Sequence, residues 1–72
     1  MPKLPVASGK QAAKVFEKLG FAFRRMEGSH MIYKRPGTAT LSIPDHKELD
    51  PGLLKRLIND AGMTSDEFRK LL

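Results

Sequence analysis

The 72-residue sequence holds no cysteine and no tryptophan, one tyrosine and two histidines. Without cysteine there is neither a disulfide staple nor a thiolate metal site, and two histidines among scattered carboxylates offer no structural zinc set. Long apolar runs are missing too. None exceeds three residues, which excludes a membrane-spanning helix, and the opening Met1-Pro2-Lys3-Leu4-Pro5 leads into no apolar signal segment. There is no glycine-rich phosphate loop, no internal repeat and no low-complexity linker. These gaps predict a single cytoplasmic domain, residues 1–72, resting on its own small core without metal or cofactor. A chain of this length buries only about 60% of its unfolded surface, so its stability is modest.

What the chain does have is positive charge, unevenly spread. The net charge is +5. Residues 1–36 carry eight Lys/Arg against Glu17 and Glu27, whereas residues 37–72 carry five against six acids. A basic half beside a near-neutral half suits one nucleic-acid-facing surface, and it suits equally a solvated surface that serves solubility.

Hydrophobic periodicity supplies the elements. Pro2 and Pro5 make residues 1–7 a short arm. Ser8 with Gln11 three residues on has capping-box spacing, and Ala12, Ala13, Val15, Phe16 and Leu19 then repeat as a helical stripe that Gly20 ends. Lys10, Lys14 and Lys18 form a basic ridge on the other side of this helix, about residues 9–19. Phe21, Phe23 and Arg25 alternate with Ala22, Arg24 and Met26 as a strand, and Glu27-Gly28-Ser29 supplies turn chemistry. Residues 30–34 make a second strand and Arg35-Pro36-Gly37 a second turn. A third strand falls within residues 38–43, with Leu41 and Ile43 on one side, Thr40 and Ser42 on the other, and Pro44 stopping it. Asp50-Pro51 starts a second helix, whose stripe is Leu53, Leu54, Leu57, Ile58 and Ala61. Thr64 and Glu67 form a second capping box that opens a short last helix.

The order α-β-β-β-α(-α), with one apolar stripe per main helix, predicts an α+β two-layer sandwich: a three-stranded antiparallel meander with the helices on one face. This order resembles the double-stranded RNA-binding domain, which reads shape through phosphate and 2′-hydroxyl contacts. Strand parity sets His30, Ile32 and Lys34 on one face and Met31 and Tyr33 on the other. Since burying Lys34 would be costly, His30 is expected on the open face.

His30 is the main candidate for chemistry. An imidazole titrates near neutral pH, so it can take a proton from a ribose 2′-hydroxyl or give one to a leaving 5′-oxygen. Arg24, Arg25, Lys34 and Arg35 lie on the two runs joined by the Gly28–Ser29 turn and are suitably charged for phosphate. Backbone amides near Gly28 could donate to phosphate oxygens as well. Taken alone, a lone histidine more often just ends a hairpin. His46 beside Asp45 reads as surface loop, and Ser29 as a turn residue.

Ser8-Gly9-Lys10, Leu19-Gly20-Phe21, Gly28-Ser29-His30 with Tyr33 and Lys34, Ile43-Pro44 with His46, Leu49, Pro51-Gly52 and Ala61-Gly62-Met63 occur in this order over nearly the whole chain. In that set the sequence resembles the HicA toxins, mRNA interferases of type II toxin–antitoxin modules. The stretch Arg35-Pro36-Gly37-Thr38 departs from many members by lacking additional polar residues. The resemblance implies a double-stranded-RNA-binding-like fold and a metal-independent endoribonuclease that cleaves mRNA and so inhibits translation. It implies His30 as the catalytic histidine, with Gly28 and Ser29 as its flanking motif. It also implies a HicB-like antitoxin partner that covers the active-site face. Lys10, Arg24, Arg25, Lys34 and Arg35 are the expected RNA contacts. The competing expectation is a non-catalytic RNA-binding or antitoxin-binding module of the same fold.

Overall fold

The computed structural model describes residues 6–72; the proline-broken arm expected at Pro2 and Pro5 lies outside them. Six elements follow one another: α1 (Gly9–Lys18), β1 (Ala22–Glu27), β2 (His30–Lys34), β3 (Leu41–Pro44), α2 (Pro51–Asp60) and α3 (Ser65–Leu71). The strands form one antiparallel sheet in the order β1-β2-β3. This is the α+β meander that the periodicity predicts.

Helix starts are fixed by their caps. The Ser8 side chain accepts from Gln11 N–H at 3.1 Å while Gln11 Oε1 accepts from Ser8 N–H at 2.9 Å, and Thr64 and Glu67 repeat the exchange for α3. Asp50 Oδ2 accepts from the amides of Gly52 and Leu53, leaving Pro51 at a position that needs no donor. Both main helices end in Schellman turns, with Phe21 N–H donating to Phe16 O and Met63 N–H to Ile58 O.

The core lies on one side of the sheet. Met31, Tyr33, Leu41 and Ile43 meet Ala12, Ala13, Val15 and Phe16 of α1, Leu54, Leu57 and Ile58 of α2, and Phe68 of α3. Ala7, at the end of the expected arm, is buried in this core, and its carbonyl accepts from Leu49 N–H at 2.9 Å. The helices do not reach fully under β1, where Phe23 and Met26 share the core side and stay about half exposed, at 50% and 48%.

One feature departs from simple alternation. The register between β1 and β2 slips between Phe23 and Arg25, so Arg24 is an extra, bulged residue. Phe23 and Met26 therefore lie opposite Tyr33 and Met31, while Arg25 and Glu27 lie opposite Ile32 and His30. The expected grouping of Phe23 with Arg25 on one face is corrected by this bulge.

Candidate functional site: an exposed histidine at the head of a groove

His30 follows a two-residue turn, since Glu27 and His30 are paired across the hairpin. Gly28 has φ +60° and Ser29 does not have positive φ, the backbone pattern of a type II′ turn, in which the first central position requires glycine. The Ser29 carbonyl accepts from Asp45 N–H at 2.9 Å, tying the turn to the loop after β3. Gly9 N–H donates to His46 O at 2.9 Å and brings the start of α1 to the same end of the molecule. A Cβ on Gly9 would collide with the Pro44 carbonyl and lie 3.2 Å from Asp45 Cα, so that approach requires glycine.

The parity expectation holds. His30 is exposed on the face away from the core; its pair partners Glu27 and Pro44 share that face, Glu27 exposed and Pro44 buried. Ile32 shares that face and lies outside the core cluster, yet is only 5% exposed, because a central-strand side chain is flanked by Arg25 and Ser42 on its neighbours. The imidazole is held from one side: His30 Nδ1 and Ser42 Oγ are 2.9 Å apart. A hydroxyl both donates and accepts, so Ser42 can satisfy Nδ1 in either neutral tautomer and leave Nε2 for a substrate.

His30 stands at the edge of a groove of about 250 Å³ that runs between the open face of β3 and one side of α2. Thr40, Ser42 and Pro44 line it from the sheet, and Leu53, Arg56, Leu57 and Asp60 from the helix. These helix positions recur at i, i+3, i+4 and i+7, a single stripe. Arg56 and Asp60 belong to the near-neutral half of the chain, so charge counting did not single them out. The signal for them was the helical stripe beside Leu53 and Leu57, read together with α2 packing on β3.

The basic residues singled out by sequence separate into several places. Arg25 lies on the His30 face and is ion-paired with Glu27 at 2.7 Å, both side chains being exposed. Arg24 and Lys34 line a second groove of about 370 Å³ with Gly20, Ala22 and Pro36. It lies at the far end of β2, roughly 13 Å from His30 at strand rise. Lys10 is exposed in the first turn of α1, next to Gly9 and hence at the His30 end. Arg35 is engaged in holding elements together. Its guanidinium donates to Leu19 O at 2.7 Å and Ala61 O at 3.3 Å, and it sits 4.4 Å from the centre of the Phe21 ring. His46 is exposed in its loop.

Among the described residues, no three His, Cys, Asp or Glu side chains gather as a metal-ligand set, and no helix is long and apolar enough to cross a membrane. Burial, then the hydrogen bond to Glu17 at 2.9 Å and that carboxylate's charge, push the Tyr33 phenol up to about 12.

The α+β meander presents a hydroxyl-held histidine on the sheet face away from the core. The chain matches the family model described as the HicA toxin of bacterial toxin–antitoxin over residues 9–63. It belongs to that family, and is thereby the toxin component of a toxin–antitoxin system with an antitoxin as its counterpart. No curated protein matches the sequence. The matched span includes the Gly28-Ser29-His30 turn, the whole sheet and α2.

Proposed function

We propose that this toxin is an endoribonuclease that cleaves mRNA and so blocks translation, with His30 as its proton-transferring residue. The observation that carries this reading is the placement of His30: exposed, on the face free of helices, with Nδ1 held by Ser42 and a groove beside it. Nε2 takes the proton of a ribose 2′-hydroxyl. The 2′-oxygen forms a bond to the adjacent phosphorus, the bond from phosphorus to the 5′-oxygen breaks, and the imidazolium returns the proton to that leaving oxygen. The products are a 2′,3′-cyclic phosphate and a 5′-hydroxyl. A serine partner suits this cycle, because a basic Nε2 requires the proton on Nδ1, and the Ser42 hydroxyl oxygen accepts from it in both the neutral and the protonated ring.

Charge that builds on the phosphate meets cations on the same face. Arg25 lies there beside Glu27, and Lys10 lies at the His30 end; Arg24 and Lys34, roughly 13 Å along β2, are placed for a more distant phosphate of the strand, and Arg35 is left to its structural contacts. Gly28 and Ser29 shape the turn that presents the histidine. A HicB-like antitoxin would inhibit by covering this face, and the basic character of the chain favours an acidic surface on it.

The experiment is to incubate the purified toxin with single-stranded RNA in the presence of a chelator and to map both product ends. Undiminished cleavage leaving 2′,3′-cyclic phosphate and 5′-hydroxyl ends is the expected result. Cleavage abolished by the chelator, or ends carrying a 5′-phosphate, would contradict the mechanism.

A further inference from the structure

The groove beside His30 has a composition of its own. Pro44, Leu53 and Leu57 give it apolar surface, Thr40 and Ser42 give it hydroxyls, and Arg56 and Asp60 stand on its helical wall. Arg56 and Asp60 are four residues apart on one helix face, yet they form no ion pair with each other, and neither has a hydrogen-bond or ion-pair partner among the described residues. The order Arg then Asp at i, i+4 is the weaker orientation for a helical pair, so both charges remain available to a ligand. A ligand matching this wall has a flat apolar face, an anionic group, and a hydrogen-bond donor at its rim. A nucleotide has all three.

We propose that the groove between β3 and α2 is the subsite for one nucleotide of single-stranded RNA next to the bond on which His30 acts, Arg56 holding its phosphate and Asp60 accepting from a base amine. This rests on the ribonuclease reading of His30. A single strand leaves the base edge open for such a contact. A carboxylate accepts only; adenine, cytosine and guanine present an exocyclic amine, whereas the single ring N–H of uracil stands between two carbonyl oxygens that a carboxylate repels. The groove therefore disfavours uracil.

The test uses short fluorescein-labelled RNAs that carry a 2′-deoxy residue at the cleaved position and A, C, G or U in the neighbouring position. Binding is read by anisotropy for wild type, His30→Ala, Arg56→Ala and Asp60→Asn, and cleavage is read separately on all-ribose versions. Because Arg56 and Asp60 are exposed, the variants are expected to melt with wild type, which circular dichroism checks. Wild type should bind the uracil oligonucleotide about tenfold or more weakly than the others. Arg56→Ala should weaken all four alike and lower the salt dependence by about one phosphate contact. Asp60→Asn should abolish the discrimination against uracil. Folded Arg56→Ala and Asp60→Asn variants that bind all four as wild type does would overturn the subsite. A His30→Ala protein that cleaves like wild type would overturn the assignment of cleavage to His30 instead, and wild type that binds but cleaves none of the all-ribose RNAs would overturn the ribonuclease reading.

Discussion

Ser42 and Tyr33 illustrate what single side chains do on the two faces of the sheet. On the open face, Ser42 acts through His30 as a positioning residue. Ser42→Ala should lower kcat by about tenfold, less than the roughly hundredfold or more supplied by a general acid–base group itself, with KM little changed and the melting temperature retained. A loss confined to KM would assign Ser42 to substrate binding. On the core side, Tyr33 donates to Glu17 at 2.9 Å, and Tyr33→Phe should cost about 1–2 kcal/mol in urea denaturation, as for a hydrogen bond to a charged group. The same bond gives an alkaline signature. With the folded phenol near 12 and an ordinary phenol near 10, the folded state holds the proton more tightly. That stabilisation is complete below about pH 10 and is lost as pH rises toward 12, a slope that Tyr33→Phe should remove. Gly9 belongs at this scale too. Gly9→Ala pushes a methyl against the backbone of Pro44, which no rotamer change relieves, and should destabilise by about 1–3 kcal/mol.

At the scale of elements, the helices were legible because their signals are local. Ser8 with Gln11, Asp50 with Pro51, and Thr64 with Glu67 each specify a start within a few residues, and each start carries its cap. The seven-residue α3 is too short to persist without its capping box and Phe68, so Thr64→Ala should cost about 1 kcal/mol and raise amide exchange in residues 65–71 first. Strand parity for β2 was legible as well, since Lys34 fixed the exposed face. β1 was not. Arg24 and Arg25 carry the same charge, so nothing in the pair says which is the extra residue, and the bulge appears only when Phe23 and Met26 are both matched to Tyr33 and Met31. Arg35 was likewise beyond sequence reasoning. A cation after a strand reads as surface charge, and only the converging ends of α1 and α2 turn it into a clasp on Leu19 and Ala61.

For the whole molecule, one arrangement carries the proposed function: core helices on one face, His30 on the other, and α2 close enough to β3 to wall a groove. The first two follow from counting stripes and strand parity. The third depends on how α2 sits against an edge strand, which no local pattern encodes, and so Arg56 and Asp60 entered only with the fold. Charge also acts at this scale. Association of the toxin with its antitoxin should slow as salt is raised if the basic face is the docking surface, measurable by stopped flow, and salt-independent association would place the contact elsewhere.

The central claim is that His30 transfers the protons of RNA cleavage. Its most direct measurement is the cleavage rate of a defined single-stranded RNA by purified wild type and by His30→Ala, each free of antitoxin and matched for folding. The account predicts that the variant binds the RNA as wild type does and loses at least about a hundredfold in rate. Equal rates in the two proteins would contradict it.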